Sequence, residues 1–352
     1  MNASFGERLV SARKMAGLSL AALAEKTGNL VTRQAINKYE KGKMNPGSDA
    51  LVALSRALGV KPDYFFRESN ISLSDMEFRK KSRLGVKESE SIKHRTLEFL
   101  ERYLEIEELL QDKAVFKNPI SSSFRNVSQL ADAELVAQKL RKHWKLGEAP
   151  IFDLTELMED HGIRIYEINT SDRFNGISAR VGDIPMIAVN LKVDSVRRRF
   201  TIAHELGHIL LGFEEGKDSK QREKLCHAFA SAFLLPENVI ISELGGRQRS
   251  KIAIWELVKL KEIYGISIQA IMVRTYQLGI VGESTYKKFW AMLNAHGWKR
   301  EEPGNYPGTE RANRFEQLVH RAAAEEAITL SKAAELLNIP LSEFRDKFLV
   351  AA

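Results

Sequence analysis

Apolar residues along this chain follow two rhythms. Over most of its length they recur every three or four positions, as one face of a helix requires. Between 163 and 190 the rhythm shortens. The runs IRIYEI (163–168), GISARV (176–181) and PMIAVN (185–190) read as strands, and the Gly-Asp between the last two predicts a hairpin. Residues 5–66 read as several short helices broken by GNL, KGKMNPGS and GVKPD. From about Leu73 to Lys113 the sequence is charged and helical. Leu97, Leu100 and Leu104 form one stripe there, with Phe99, Tyr103, Ile106 and Leu110 beside it. This predicts a connector helix, packed on its own domain or on a second copy.

NPISSSFRN (118–126) marks a turn-rich boundary, followed by helices over 127–146 and Phe152–His161. After the strands, LKVDSVRRRFTIAHELGHILLG predicts a helix with Asp194 or Ser195 as N-cap. A second helix covers roughly Ser219–Leu235 and stops at Pro236. The stretch 237–352 is mostly helical, interrupted by WKREEPGNYPGTE (298–310). Within it, 329–348 scans as two short helices with Ala333, Leu336, Leu337, Ile339 and Phe344 as core. The expected fold class is mainly α with a small α+β core. It comprises an N-terminal five-helix domain (1–66), a charged helical linker (67–125), a domain with a short antiparallel sheet (126–240) and a helical accessory domain (241–352).

Composition narrows the setting. Hydrophobic content of 44% and charged content of 28% are ordinary for a soluble globular protein. No apolar stretch approaches the roughly 20 residues a membrane-spanning helix needs, and MNASFGERLV lacks the layout of a secretion signal. One cysteine, Cys226, excludes an internal disulfide and reads as a small core residue. Cytoplasm is the expected compartment. The net charge is +7, and residues 1–66 hold ten Lys/Arg against five Asp/Glu, a local balance of +5. A polyanion is therefore the expected partner at that end.

The helix over 199–212, RFTIAHELGHILLG, carries the strongest chemical signal. His204 and His208 stand four apart, on one helical face, where both imidazoles can reach one ion. Glu205 can lean toward the open side of such a site and accept a proton from a water held there. This is the HExxH arrangement. Its neighbours Ile202, Ala203, Leu206, Ile209, Leu210 and Leu211 make the helix central, and burying two His and a Glu without a partner is costly. A third ligand is needed. Glu223, opening the next helix, is the leading candidate, with Glu214, Glu215 and His227 as rivals. His227, four residues after Glu223 on the same face, is expected to orient a ligating imidazole without itself holding the ion.

RRRFTIAHELGHILL, the strand pair before it and EKLCHAFASAFLLP after it resemble the ImmA/IrrE family of zinc metallopeptidases over roughly residues 127–240. The resemblance implies a gluzincin-like site, with His204, His208 and Glu223 holding Zn2+ and Glu205 as general base. Members of that family cut repressor proteins. They usually carry Asn or Asp where this chain has His227. The strand PMIAVN is expected to pair with an extended substrate if it lies at the sheet edge.

Leu18–Gly28 and Thr32–Gly42 are two helix candidates around a short turn. Leu20, Leu23 and Ala24 form the buried face of the first; Ala35, Ile36 and Tyr39 form that of the second. The second then exposes Thr32, Arg33, Gln34, Asn37 and Lys38, side chains that suit base edges and phosphates. With AINKYEKG and the later ALGV, residues 5–66 resemble the XRE (Cro/repressor-like) helix-turn-helix family, apart from GNLVT, which lengthens the turn by two residues. That resemblance implies operator DNA as partner and a homodimer. The combined expectation is a DNA-binding, zinc-dependent regulator that cleaves a repressor, a partner protein or itself. The rival expectation is a transcription factor whose peptidase fold serves only as a sensor.

Overall fold

Short polar side chains set where the helices begin. Ser19 accepts a hydrogen bond from Ala22 N at 3.1 Å, Thr32 from Ala35 N at 3.2 Å, Asp194 from Arg197 N at 2.9 Å and Asp218 from Gln221 N at 2.7 Å. Each satisfies a backbone donor that a helix start leaves unpaired. In this computed structural model, residues 5–67, 71, 76–78, 84–120, 126–213, 216 and 218–350 are described. Contacts divide the chain into two units, one comprising 1–113, 180–182 and 315–352, the other 114–179 and 183–314.

The first unit begins with α1 (Phe5–Met15), α2 (Leu20–Lys26), α3 (Arg33–Glu40) and α4 (Ser48–Leu58). The fifth helical element expected here is a 3-10 turn, Pro62–Phe66. Leu9, Leu23, Ile36, Leu54 and Phe65 close their shared core. Then come β1 (Met76–Phe78) and α5 (Val86–Leu109). Helix α5 docks on α1, with Arg8 Nη1 at 2.6 Å from Glu101 Oε2 and Ser91 Oγ donating to Met15 O at 2.7 Å. The predicted connector helix therefore packs within its own unit.

The second unit holds β2 (Asn126–Val127), α6 (Leu130–His143), α7 (Leu154–Asp160), β3 (Arg164–Ile168), β4 (Gly176–Val181) and β5 (Ile184–Asn190). It continues with α8 (Ser195–Leu210), β6 (Gly212–Phe213), α9 (Ser219–Leu234), α10 (Glu237–Glu243), α11 (Ile254–Tyr264), α12 (Ile268–Gln277) and α13 (Glu283–Ala295). Strand β5 lies between β4 and β3. The two-residue connection from β4 to β5 makes them a hairpin, whereas β3 runs parallel to β5 with Ile165 opposite Ile187. Two expectations change here. The sheet is not purely antiparallel, and PMIAVN is an interior strand because β3 already occupies its other side.

Helix α8 packs against β5 on one side and α9 on the other. Gly207 makes the second contact close: a Cβ there would stand 3.1 Å from Phe229 Cδ1. The segment 298–310 is a latch within this unit. Glu310 Oε2 accepts from Leu154 N at 2.9 Å and Thr155 N at 3.1 Å, capping α7, and its other oxygen pairs with the fully buried Arg199. Glu302 does the same for α12, accepting from Ile268 N at 2.9 Å.

The chain ends with α14 (Arg314–Ala324), α15 (Leu330–Leu337) and α16 (Leu341–Val350). Residues 315–350 belong to the first unit, where Phe315 stacks against Tyr103 of α5 with ring centroids 5.3 Å apart. The region read from sequence as one accessory domain is thus shared: 241–314 pack in the second unit. Among the described residues no single helix is long and apolar enough to cross a membrane.

Candidate metal centre and helix-turn-helix surface

Helix α8 carries His204 and His208 into the interior, 2% and 6% exposed, with Glu205 fully buried between them. Helix α9 brings Glu223 over the same face. Its Oε2 lies 3.2 Å from His204 Nε2 and its Oε1 3.1 Å from His208 Nε2. Burial pushes the Glu223 carboxyl up, but hydrogen bonds from both imidazoles and their charge outweigh this and hold it far below the usual carboxylate range.

The three side chains fit a shared cation. One ligand atom from each lies within 4.8 Å of the others. Two imidazole nitrogens and a carboxylate oxygen match the donor set of catalytic zinc. Ligand atoms around a tetrahedral ion with bonds of ~2.0–2.1 Å stand roughly 3.3 Å apart, close to the His–Glu separations here. Glu214 and Glu215 lie outside the described residues. His227 is exposed, and its ring centroid lies 4.4 Å from that of His204 and 5.7 Å from that of Phe200.

Two contacts at this site had no motif to announce them. Ser178 of β4 donates from its backbone N and its hydroxyl to Glu205 Oε2, both at 2.9 Å. The available signal was a serine inside the buried strand GISARV, since a buried hydroxyl needs a partner. Cys226, fully buried as expected of a core residue, also places Sγ 3.3 Å from His208 Nδ1. With Nε2 directed at Glu223, Nδ1 is left to bond the sulfur and fix the ring.

In the first unit, α2 and α3 form the predicted helix pair. Thr32 is the N-cap of α3. Thr32, Arg33, Gln34 and Lys38 are exposed and Asn37 half-buried, while Ile36 and Tyr39 turn inward. The long turn closes locally. Asn29 N donates to Ala24 O at 3.0 Å, Thr27 Oγ1 accepts from Val31 N at 3.3 Å, and Val31 fills the core.

Fold and site define a chain that joins a helix-turn-helix head to a core containing an HExxH helix. Comparison with known proteins agrees. Residues 9–65 match the helix-turn-helix family, and residues 158–276 match the family described as the IrrE N-terminal-like domain. The chain therefore carries an XRE-type helix-turn-helix domain at its N-terminus and an IrrE-like domain after it.

Three relatives share part of the sequence. The uncharacterized HTH-type transcriptional regulator y4wC of Sinorhizobium fredii is 38% identical over 69 residues, 20% of this chain and 47% of the relative. The uncharacterized HTH-type transcriptional regulator y4aM of the same organism is 43% identical over 63 residues, covering 18% and 43%. The SPbeta prophage-derived uncharacterized HTH-type transcriptional regulator YonR of Bacillus subtilis is 41% identical over 63 residues, covering 18% and 56%. The chain spans about half the length of these curated relatives.

Proposed function

We propose that this protein is a DNA-binding transcriptional regulator whose IrrE-like domain is a zinc-dependent endopeptidase acting on a repressor, a partner protein or itself. The observation that carries the reading is the convergence of His204, His208 and Glu223, beside a buried glutamate that follows the first histidine. His204, His208 and Glu223 would hold the zinc ion, which would supply Lewis acidity for the scissile carbonyl. Glu205, kept in place by Ser178, takes the proton from the attacking water and passes it to the departing amine. His208 is held by Cys226, and His227 flanks His204 on the exposed side of the site.

At the other end, α3 enters the major groove. Arg33 and Gln34 read base edges, and Thr32, Asn37 and Lys38 hold bases or phosphates. The local excess of positive charge supports this partner, and a homodimer on a two-fold operator in the cytoplasm is the matching arrangement. The test is metal analysis of the purified chain. About one zinc per chain, lost in Glu223→Ala, is expected. A chain that takes up no zinc would overturn the metallopeptidase reading, and a Glu223→Ala variant that holds it equally well would move the third ligand to Glu214, Glu215 or His227.

A further inference from the structure

A cleft of about 690 Å³ opens in the first unit beside the reading helix. Its walls come from the end of α1 (Arg13, Lys14), the start of α2, Arg33 of α3 and the first turn of α5 (Val86, Lys87). The charges are not equivalent. Arg13 is buried and spent on Glu40, with Nε at 2.5 Å and Nη2 at 2.9 Å from its two carboxylate oxygens. Lys14, Arg33 and Lys87 make no ion pair with any described residue, and Arg33 and Lys87 are exposed. Three cations therefore face one concave surface without an acidic counterpart in its lining.

The position of Lys87 is fixed by the fold. Ser91, one turn on, donates to Met15 O at 2.7 Å, and His94 Nδ1 lies 3.1 Å from Ser11 Oγ. Helix α5 is thereby tied to α1 along its first three turns, and Lys87 Cε lies 3.7 Å from where a Cβ on Gly17 would sit. A lysine on a docked helix start is a preplaced charge, which reduces the ordering cost of a contact. Arg33 both lines the cleft and opens the reading helix. A DNA strand bordering the groove that α3 enters would thus pass the cleft.

We propose that this cleft seats a phosphodiester of the DNA backbone, with Lys87 of α5 and Lys14 of α1 as phosphate contacts. The DNA-binding surface then extends past the matched helix-turn-helix segment, 9–65, onto a helix outside it. The inference rests on the DNA-binding reading and adds a specific contact to it. Because phosphate contacts carry no sequence information, Lys87 should contribute equally on any duplex.

The test measures affinity of the full chain for a fluorescent mixed-sequence duplex of about 30 base pairs across a salt series. Lys87→Ala should weaken binding roughly three- to tenfold at low salt and flatten the log–log salt slope by about 0.9, while Lys87→Arg keeps both. A wild-type chain that binds with a steep salt slope, together with a Lys87→Ala variant indistinguishable from it, would overturn the cleft contact and leave the DNA-binding reading standing. A wild-type chain that binds no duplex would overturn both. Inorganic phosphate at millimolar concentration should compete weakly; full displacement would mean that the cleft is a small-anion site instead.

Discussion

Ser178 donates twice to Glu205, from its backbone N–H and from its hydroxyl, each 2.9 Å from the same carboxylate oxygen. A strand residue thus holds a helix residue 27 positions further along the chain, at a point where both are buried. Ser178→Ala removes only the hydroxyl bond. Hydrogen bonds to charged groups are worth about 1.5–3 kcal/mol, so urea unfolding should show a loss near the lower figure. A variant as stable as the wild type would mean that the hydroxyl does not hold the carboxylate.

The contact between His208 Nδ1 and Cys226 Sγ, at 3.3 Å, makes a second prediction. Loss of a partner that orients a ligating imidazole typically weakens metal binding 10–100-fold. Because sulfur is a weak acceptor, Cys226→Ala should lower zinc affinity about tenfold in a chelator competition. Unchanged affinity would assign Cys226 to packing alone.

In the helix-turn-helix head, α1 and α3 touch through a glycine. A Cβ on Gly6 would lie 2.6 Å from Glu40 O and 2.7 Å from Tyr39 O, both backbone atoms. Gly6→Ala must therefore push the helices apart, at a cost of about 1–3 kcal/mol as for overpacked cores. Thermal unfolding should show the first unit weakened while zinc binding persists. Equal stability would contradict this packing.

Glu159 gives the pH dependence. Burial pushes its carboxyl up to about 8, opposed mainly by hydrogen bonds from Arg314 N and Asn313 N. The folded chain then holds a proton that the unfolded chain releases near its ordinary value, so stability falls as pH rises from about 4.5 toward 8. Glu159→Gln should flatten that decline and stabilise the protein at pH 8 by on the order of 4 kcal/mol. A decline of the same slope in the variant would remove Glu159 as its source.

Much of this was legible locally. The 3.6-residue rhythm and caps such as Asp194 and Asp218 located α8 and α9, and the four-residue spacing of His204 and His208 placed both on one face. Glu223 was recognisable because it opens the next helix. What the sequence hid depends on long-range pairing. Strand β5 is interior because β3 pairs beside it, and no alternation within PMIAVN distinguishes an edge from a centre. Similarly, Phe315 meets Tyr103 and Glu310 meets Arg199 across more than a hundred residues, beyond the reach of any local period. The helix-turn-helix head, closed by contacts within its own 60 or so residues, was read most fully.

The most direct measurement compares protein N-termini in cells expressing the wild-type chain or Glu205→Gln, with and without stress. Glu205 is not one of the three residues proposed to hold the metal, so the variant should retain zinc and DNA binding. The account predicts new N-termini that appear only with the wild-type chain, on one protein or on the chain itself. Identical N-termini under every condition would contradict it and leave a DNA-bound sensor that holds zinc without cutting.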